Sequence, residues 1–162
     1  VPPLATPTAF APGRIVLPVE QPELPAGLGE LAVRMAGIFD AELDVVKVVP
    51  WTSTVAVAAE AGMVAAQIEQ ELEGEALHTV EQVRESLGYA KSHGSVLRGS
   101  PGAELANYGR TFGAGLFVMA TRARGGIARM VLGSTAEHVV AEAVAPVLLS
   151  RFGAVEAETA AG

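Results

Sequence analysis

Three arginines, Arg122, Arg124 and Arg129, fall within eight positions and lead into the run Gly133-Ser134-Thr135. In a chain of formal net charge −7 that concentration of cations is local. The first N–H groups of a helix lack intrahelical partners and lie at the positive end of its dipole, so a helix opened by such residues can hold an anion. A glycine there lets a phosphate approach the backbone, and the hydroxyls of Ser134 and Thr135 can donate to it. The same residues also suit a capped helix behind a solvated basic loop. Spacing alone leaves both readings open.

The three histidines, His78, His93 and His138, offer less. None has a second His at ligand spacing, and the chain has no Cys, so a metal centre has no donor set. His138 follows Ser134 by four residues, one helical turn, as a nucleophile and its base would. No carboxylate evidently orients it, and a cap followed by a surface histidine is the plainer account. Trp51 could stack on a base or cover a neighbouring helix; Met63 and Met130 read as packing residues.

The elements that must position these residues follow from hydrophobic period and punctuation. Arg14 to Val19 is a short β-branched run bounded by Gly13 and by Glu20-Gln21-Pro22, which predicts a buried strand. Leu28, Leu31, Ala32, Met35 and Phe39 mark one helix face, broken at Asp40-Ala41-Glu42. Leu43 to Val49 predicts strand two, ended by Pro50. A long helix follows on Ile68, Leu72, Ala76, Val80, Val83 and Leu87, with glutamates on its other face, a possible bend at Gly74 and a stop at Gly88. Lys91 to Leu97 makes a weaker third strand. Ser100-Pro101 opens a helix that closes at Gly113. Leu116 to Ala120 has the continuous apolar character of a central parallel strand. A polar loop from Thr121 to about Arg129, a helix from Gly133 to about Val144 and a last strand at 146–150 complete the pattern.

Strands alternating with helices predict an α/β fold, an open parallel sheet with helices on both faces. Ligands of such sheets bind beyond the carboxyl ends of the strands, where strand order reverses. That rule places Glu20, the loop after Val48 and the 121–135 segment on the ligand edge. The two aspartates, Asp40 and Asp44, fall at the opposite edge. Glu20 is left as the evident carboxylate for Mg2+ or for activating water. Fast phosphoryl transfer therefore has little support, while slow ATP hydrolysis stays open.

Several of these blocks resemble the universal stress protein family. Leu116 to Gly126, Gly133-Ser134-Thr135-Ala136-Glu137-His138-Val139 and Pro146-Val147-Leu148-Leu149 are similar to its carboxyl half. Ile15 to Glu20 resembles its first strand and turn, and Gly99-Ser100-Pro101 its Gly-Asp-Pro opening of the third helix. The resemblance spans Arg14 to Arg151. It implies an open five-stranded parallel sheet, Rossmann-like, of strand order 3-2-1-4-5, and a homodimer paired through the last strand, 146–150.

Nucleotide-binding members carry Gly, two residues, Gly, nine residues, then Gly-Ser or Gly-Thr. Those positions here are Ala120, Ala123, Gly133 and Ser134: the spacing is intact, with alanine at two of the three glycines. An added methyl matters where the backbone needs φ > 0 or touches phosphate. Glu20 stands where the family has a ribose-binding Asp, and Val48 at its adenine side. By resemblance the nucleotide site comprises Pro18, Val19, Glu20, Val48, Met119, Ala120, Arg122, Ala123, Arg124, Gly133, Ser134 and Thr135. The implied ligand is an adenine nucleotide, ATP with Mg2+, whose occupancy biases a dimer or partner interface in a regulatory or stress-response module. Two alternatives stand beside it: a nucleotide-free dimeric interaction protein with a degenerate phosphate loop, and a weak ATPase or nucleotidyl transferase using Glu20 and Arg122.

Length and composition bound all of this. A chain of 162 residues suits one domain, which buries roughly 70% of its unfolded surface. Half the residues are apolar but only 5% aromatic, so the core is built of Val, Leu, Ile and Ala. The lack of cysteine excludes disulfides and suits the reducing cytoplasm. Eleven basic against eighteen acidic residues argue against nucleic acid or an anionic membrane surface as partner. No apolar stretch reaches the ~20 residues of a membrane span. The expected organisation is a Pro/Ala-rich tail at 1–13, the α/β domain at 14–151 and a small acidic tail at 152–162. The start at Val1 fits a processed or excised piece.

Overall fold

The β-branched run after Gly13 forms β1 (Arg14–Pro18), whose Ile15, Val16 and Leu17 are fully buried. In the computed structural model, which describes residues 9–50, 56–57, 59–62, 64–122, 133–142 and 144–152, it is the centre of the sheet. The chain continues through α1 (Leu28–Phe39), β2 (Glu42–Val49), α2 (Ala65–Leu87), β3 (Ser92–Arg98), α3 (Pro101–Phe112), β4 (Leu116–Arg122), α4 (Ser134–Ala141) and β5 (Val147–Phe152). The strand order is β3-β2-β1-β4-β5, and every neighbouring pair is parallel. This is the expected open five-stranded α/β sheet.

Period two along the strands divides the core into two layers. Ile15, Leu17, Leu43, Val45 and Val118 pack on one face with Leu28, Ala32 and Ala36 of α1 and Val80 and Val83 of α2. Val16, Val46, Phe117 and Met119 pack on the other with Leu105 of α3 and Ala136 and Val139 of α4. Helix ends follow local chemistry. Gly88 and Gly113 close α2 and α3 at φ 60 and 71, a left-handed conformation that glycine adopts without a Cβ penalty. Asp40 closes α1 at φ 52.

Several boundaries differ from the sequence expectation. Helix α2 runs 23 residues with no break at Gly74, because burial of Ile68, Ala76, Val80 and Val83 holds both halves on one face. Strand β4 extends through Thr121 and Arg122, which their polarity had assigned to a loop; the ladder to Arg151 and Phe152 of β5 carries it on. Helix α4 stops at Ala141 rather than near Val144. Among the described residues no helix is long and apolar enough to cross a membrane.

Candidate functional site

Strand order reverses between β1 and β4, and beyond their carboxyl ends the described residues enclose a cleft of about 700 Å3. Three strand ends form its base: Pro18, Val19 and Glu20 after β1, Val46, Lys47 and Val48 of β2, and Met119, Ala120 and Thr121 of β4. Gly133, Ser134, Thr135 and Ala136 at the start of α4 line one wall. Leu24, Pro25 and Leu28 line another, and Pro101 and Leu105 of α3 complete it. A more open groove of about 540 Å3 lies between the start of α1 and the end of α2, on one helix layer.

Backbone bonds set the rim. The Val19 N–H donates to the Val46 carbonyl at 2.9 Å, continuing the β1–β2 ladder one residue past β1 and delivering Glu20 to the cleft. Lys47 Nζ donates to the Glu20 carbonyl, tying that turn to β2. Across the cleft, Gly133 has φ −64 and ψ 154, and no side chain caps α4. Among the described residues, nothing lies within 4 Å of a Cβ built at Gly133. Helix α4 is seated by a close crossing: a Cβ at Gly102 of α3 would come within 2.5 Å of the His138 Cβ. Ala120 has no positive φ, so its backbone makes no demand that only glycine meets.

Nine of the twelve residues expected at the site therefore line one cleft: Pro18, Val19 and Glu20; Val48; Met119 and Ala120; Gly133, Ser134 and Thr135. Arg122 is the last residue of β4. Ala123 and Arg124, with Trp51, Met63, Arg129 and Met130, lie outside the described residues. The sequence reading ran strand two through Lys47 without assigning it to the site, and it placed Thr121 on the ligand edge only as the start of a loop.

The histidines stay apart from the cleft's chemistry. Exposed His138 has its Nε2 3.8 Å from Glu142 Oε1, too far for a hydrogen bond. Glu142, one turn on, is the carboxylate that the sequence reading did not find. His93 Nε2 lies 2.5 Å from Glu42 Oε2 at the far edge of the sheet. Asp44, at that same end of β2, is wholly buried and takes bonds from Arg14 and Tyr108. Burial, opposed by the Ser95 hydrogen bond and reinforced by the bond to Asp44, pushes the Tyr108 hydroxyl up to about 12.

A doubly wound parallel sheet with its crevice at the strand-order reversal defines an α/β protein of the open-sheet, ligand-cleft class. A family model described as the Universal stress protein family matches residues 12–151, and the chain belongs to that family. It is 32% identical over 137 residues to a universal stress protein of Methanocaldococcus jannaschii, covering 84% of this chain and 80% of that protein. Its fold is similar to the universal stress protein UspA of Lactobacillus plantarum, with a TM-score of 0.65, 20% identity and coverage of 89% and 100%. It is also similar to the universal stress protein of Archaeoglobus fulgidus in complex with dAMP, with a TM-score of 0.56, 19% identity and coverage of 84% and 95%.

Proposed function

We propose that this protein binds an adenine nucleotide, ATP in particular, in the cleft between β1, β2, β4 and α4. Occupancy then biases self-association or a partner interface in a cytoplasmic stress-response module. The observation that carries the reading is the cleft itself. Its volume of about 700 Å3 falls within the ~300–1,000 Å3 usual for small-ligand sites, and it opens where doubly wound sheets bind ligands. The dAMP complex of the Archaeoglobus relative supports adenine as the base.

In this reading Val48 lies beside the adenine, Glu20 takes the ribose, and Pro18, Val19 and Met119 supply apolar wall. Ala120, Gly133, Ser134 and Thr135 meet the phosphates, with Arg122, Ala123 and Arg124 contributed by the segment that leaves β4. Mg2+ arrives on the nucleotide's own phosphates, as is usual where substrate phosphates supply most of its ligands. The Ala120 methyl lines a cleft that is still open, which favours this reading over a nucleotide-free protein.

Self-association is assigned to β5. It is an edge strand whose Val147, Leu148 and Leu149 are only half-buried, with apolar groups toward both layers. Such an edge invites pairing with a second strand.

Calorimetric titration of nucleotide-stripped protein with ATP and Mg2+, and with AMP, tests the reading. Micromolar binding supports it. No heat and no thermal stabilisation at millimolar ATP would overturn it. Sedimentation velocity tests the assembly, and a monomer at every concentration sinks the β5 assignment.

A further inference from the structure

Among the described residues the sheet ends in two edge strands, β5 and β3, and the two edges are finished differently. In a parallel ladder, successive residues turn their N–H and C=O groups to opposite sides of the strand. The Leu43 N–H donates to the Lys91 carbonyl at 2.9 Å, and the Gly99 N–H to the Val49 carbonyl at 3.0 Å. The backbone groups at 91, 93, 95, 97 and 99 therefore face β2. Those of Ser92, Gly94, Val96 and Arg98 face the open side. An edge of that kind is a template for another strand.

Helix α2 lies against this edge, and Gly94 admits it: a Cβ there would come within 2.4 Å of Val80 Cγ1 and 3.2 Å of Arg84 Cδ. Arg84 then turns onto the strand. Its Nη2 donates to the Ser92 carbonyl at 2.8 Å and its Nε to the Ser92 hydroxyl at 3.4 Å. Its Nη1 donates to both oxygens of Glu81, at 2.8 and 3.1 Å. A planar guanidinium with donors in fixed directions can hold both partners at once. At the other end of β3, Arg98 pairs with Glu73 of the same helix. The first outward carbonyl of β3 is thus occupied, and charged groups of α2 bound the open stretch at both ends. The β5 edge instead presents Val147, Leu148 and Leu149.

We infer that Arg84 closes the β3 edge against strand addition by a second copy of this chain, so that assembly is confined to β5. The occupant it excludes is the β3 of another copy, because one edge can pair with itself across a two-fold axis. A protomer with a single open edge stops at a dimer. One with open edges on both sides of its sheet would extend that sheet from molecule to molecule. The stoichiometry of the wild type rests on the β5 assignment above; the closure of β3 rests on the bonds of Arg84.

The test compares full-length wild type, Arg84→Met and Arg84→Lys by sedimentation velocity over a concentration series, with thermal melts and amide hydrogen exchange on the same samples. Methionine keeps the apolar stem and removes every donor; lysine keeps a charged donor for the Ser92 carbonyl. Arg84→Met should melt cooperatively, and at high concentration its weight-average mass should exceed that of wild type by about twofold or more. The amides of Gly94 and Val96 should gain protection as its concentration rises. Arg84→Lys should sediment as wild type does. Equal masses for Arg84→Met and wild type would overturn the inference. So would loss of the cooperative melt, or larger assemblies without concentration-dependent protection at Gly94 and Val96. Wild type that is monomeric throughout would sink the β5 assignment alone, and Arg84→Met would then pass from monomer to dimer.

Discussion

Arg14 Nη1 lies 2.7 Å from both carboxylate oxygens of Asp44, a side chain with no exposure at all. The pair joins neighbouring strands, and the Tyr108 hydroxyl of α3 donates to the same carboxylate at 2.7 Å. Breaking a buried pair by removing one charge costs more than the pair contributes in net terms, because the remaining charge is left without compensation. Arg14 retains a 28% exposed side chain and can recover some hydration. Asp44→Asn should therefore destabilise by about 2–3 kcal/mol, at or below the low end of the range for buried pairs. Urea unfolding should show the midpoint falling with an unchanged m value.

Tyr108 makes the same network sensitive to alkali. Its hydroxyl titrates near 10 when unfolded and is held up to about 12 in the fold, chiefly by burial. The folded state keeps the proton after the unfolded state has released it. The stabilisation is thus complete below pH 10 and lost as pH rises toward 12, by at most ~1.4 kcal/mol per pH unit. Tyr108→Phe has no proton to release. Wild type should lose stability more steeply than Tyr108→Phe across that window in denaturant titrations at stepped pH.

Gly133 has no described residue within 4 Å of an added Cβ, and its backbone is one that any residue adopts. Gly133→Val should fold with an unfolding temperature close to that of wild type. Its branched side chain would stand where the proposed phosphate approaches α4, so AMP affinity should fall by about 10-fold or more, equivalent to ~1.4 kcal/mol. Calorimetric titration beside a thermal melt separates the two effects, and unchanged AMP affinity would move the phosphates away from this helix.

Gly74 lies exposed within the unbroken α2, with nothing within 4 Å of an added Cβ. Gly74→Ala should stabilise the protein by about 0.8–1 kcal/mol, through helix propensity and a less flexible unfolded chain. A higher urea midpoint with unaltered nucleotide titration is the expected result.

Much of the fold was legible because its signals are local. The Ile15-Val16-Leu17 run, the stop at Gly88, the Ser100-Pro101 opening and the Gly133-Ser134-Thr135 start each depend on a handful of adjacent residues, and each element formed where its pattern placed it. The site was legible by a less direct route. Residues far apart in the chain met in one cleft because a parallel sheet brings the carboxyl ends of its strands to one edge.

What stayed hidden depended on pairing. Thr121 is polar and sits beside arginines, so it read as loop; only its place opposite Arg151 in the β4–β5 ladder makes it a strand residue, buried at the cleft. Asp44 read as an edge carboxylate, and its burial is possible only because Arg14 and Tyr108, 30 and 64 residues away, converge on it. Residue type and spacing thus determined the elements, the fold class and the family. The tertiary structure alone decided which polar groups are buried and what satisfies them, because satisfaction of a buried group is a property of its neighbours in space and not of its neighbours in the chain.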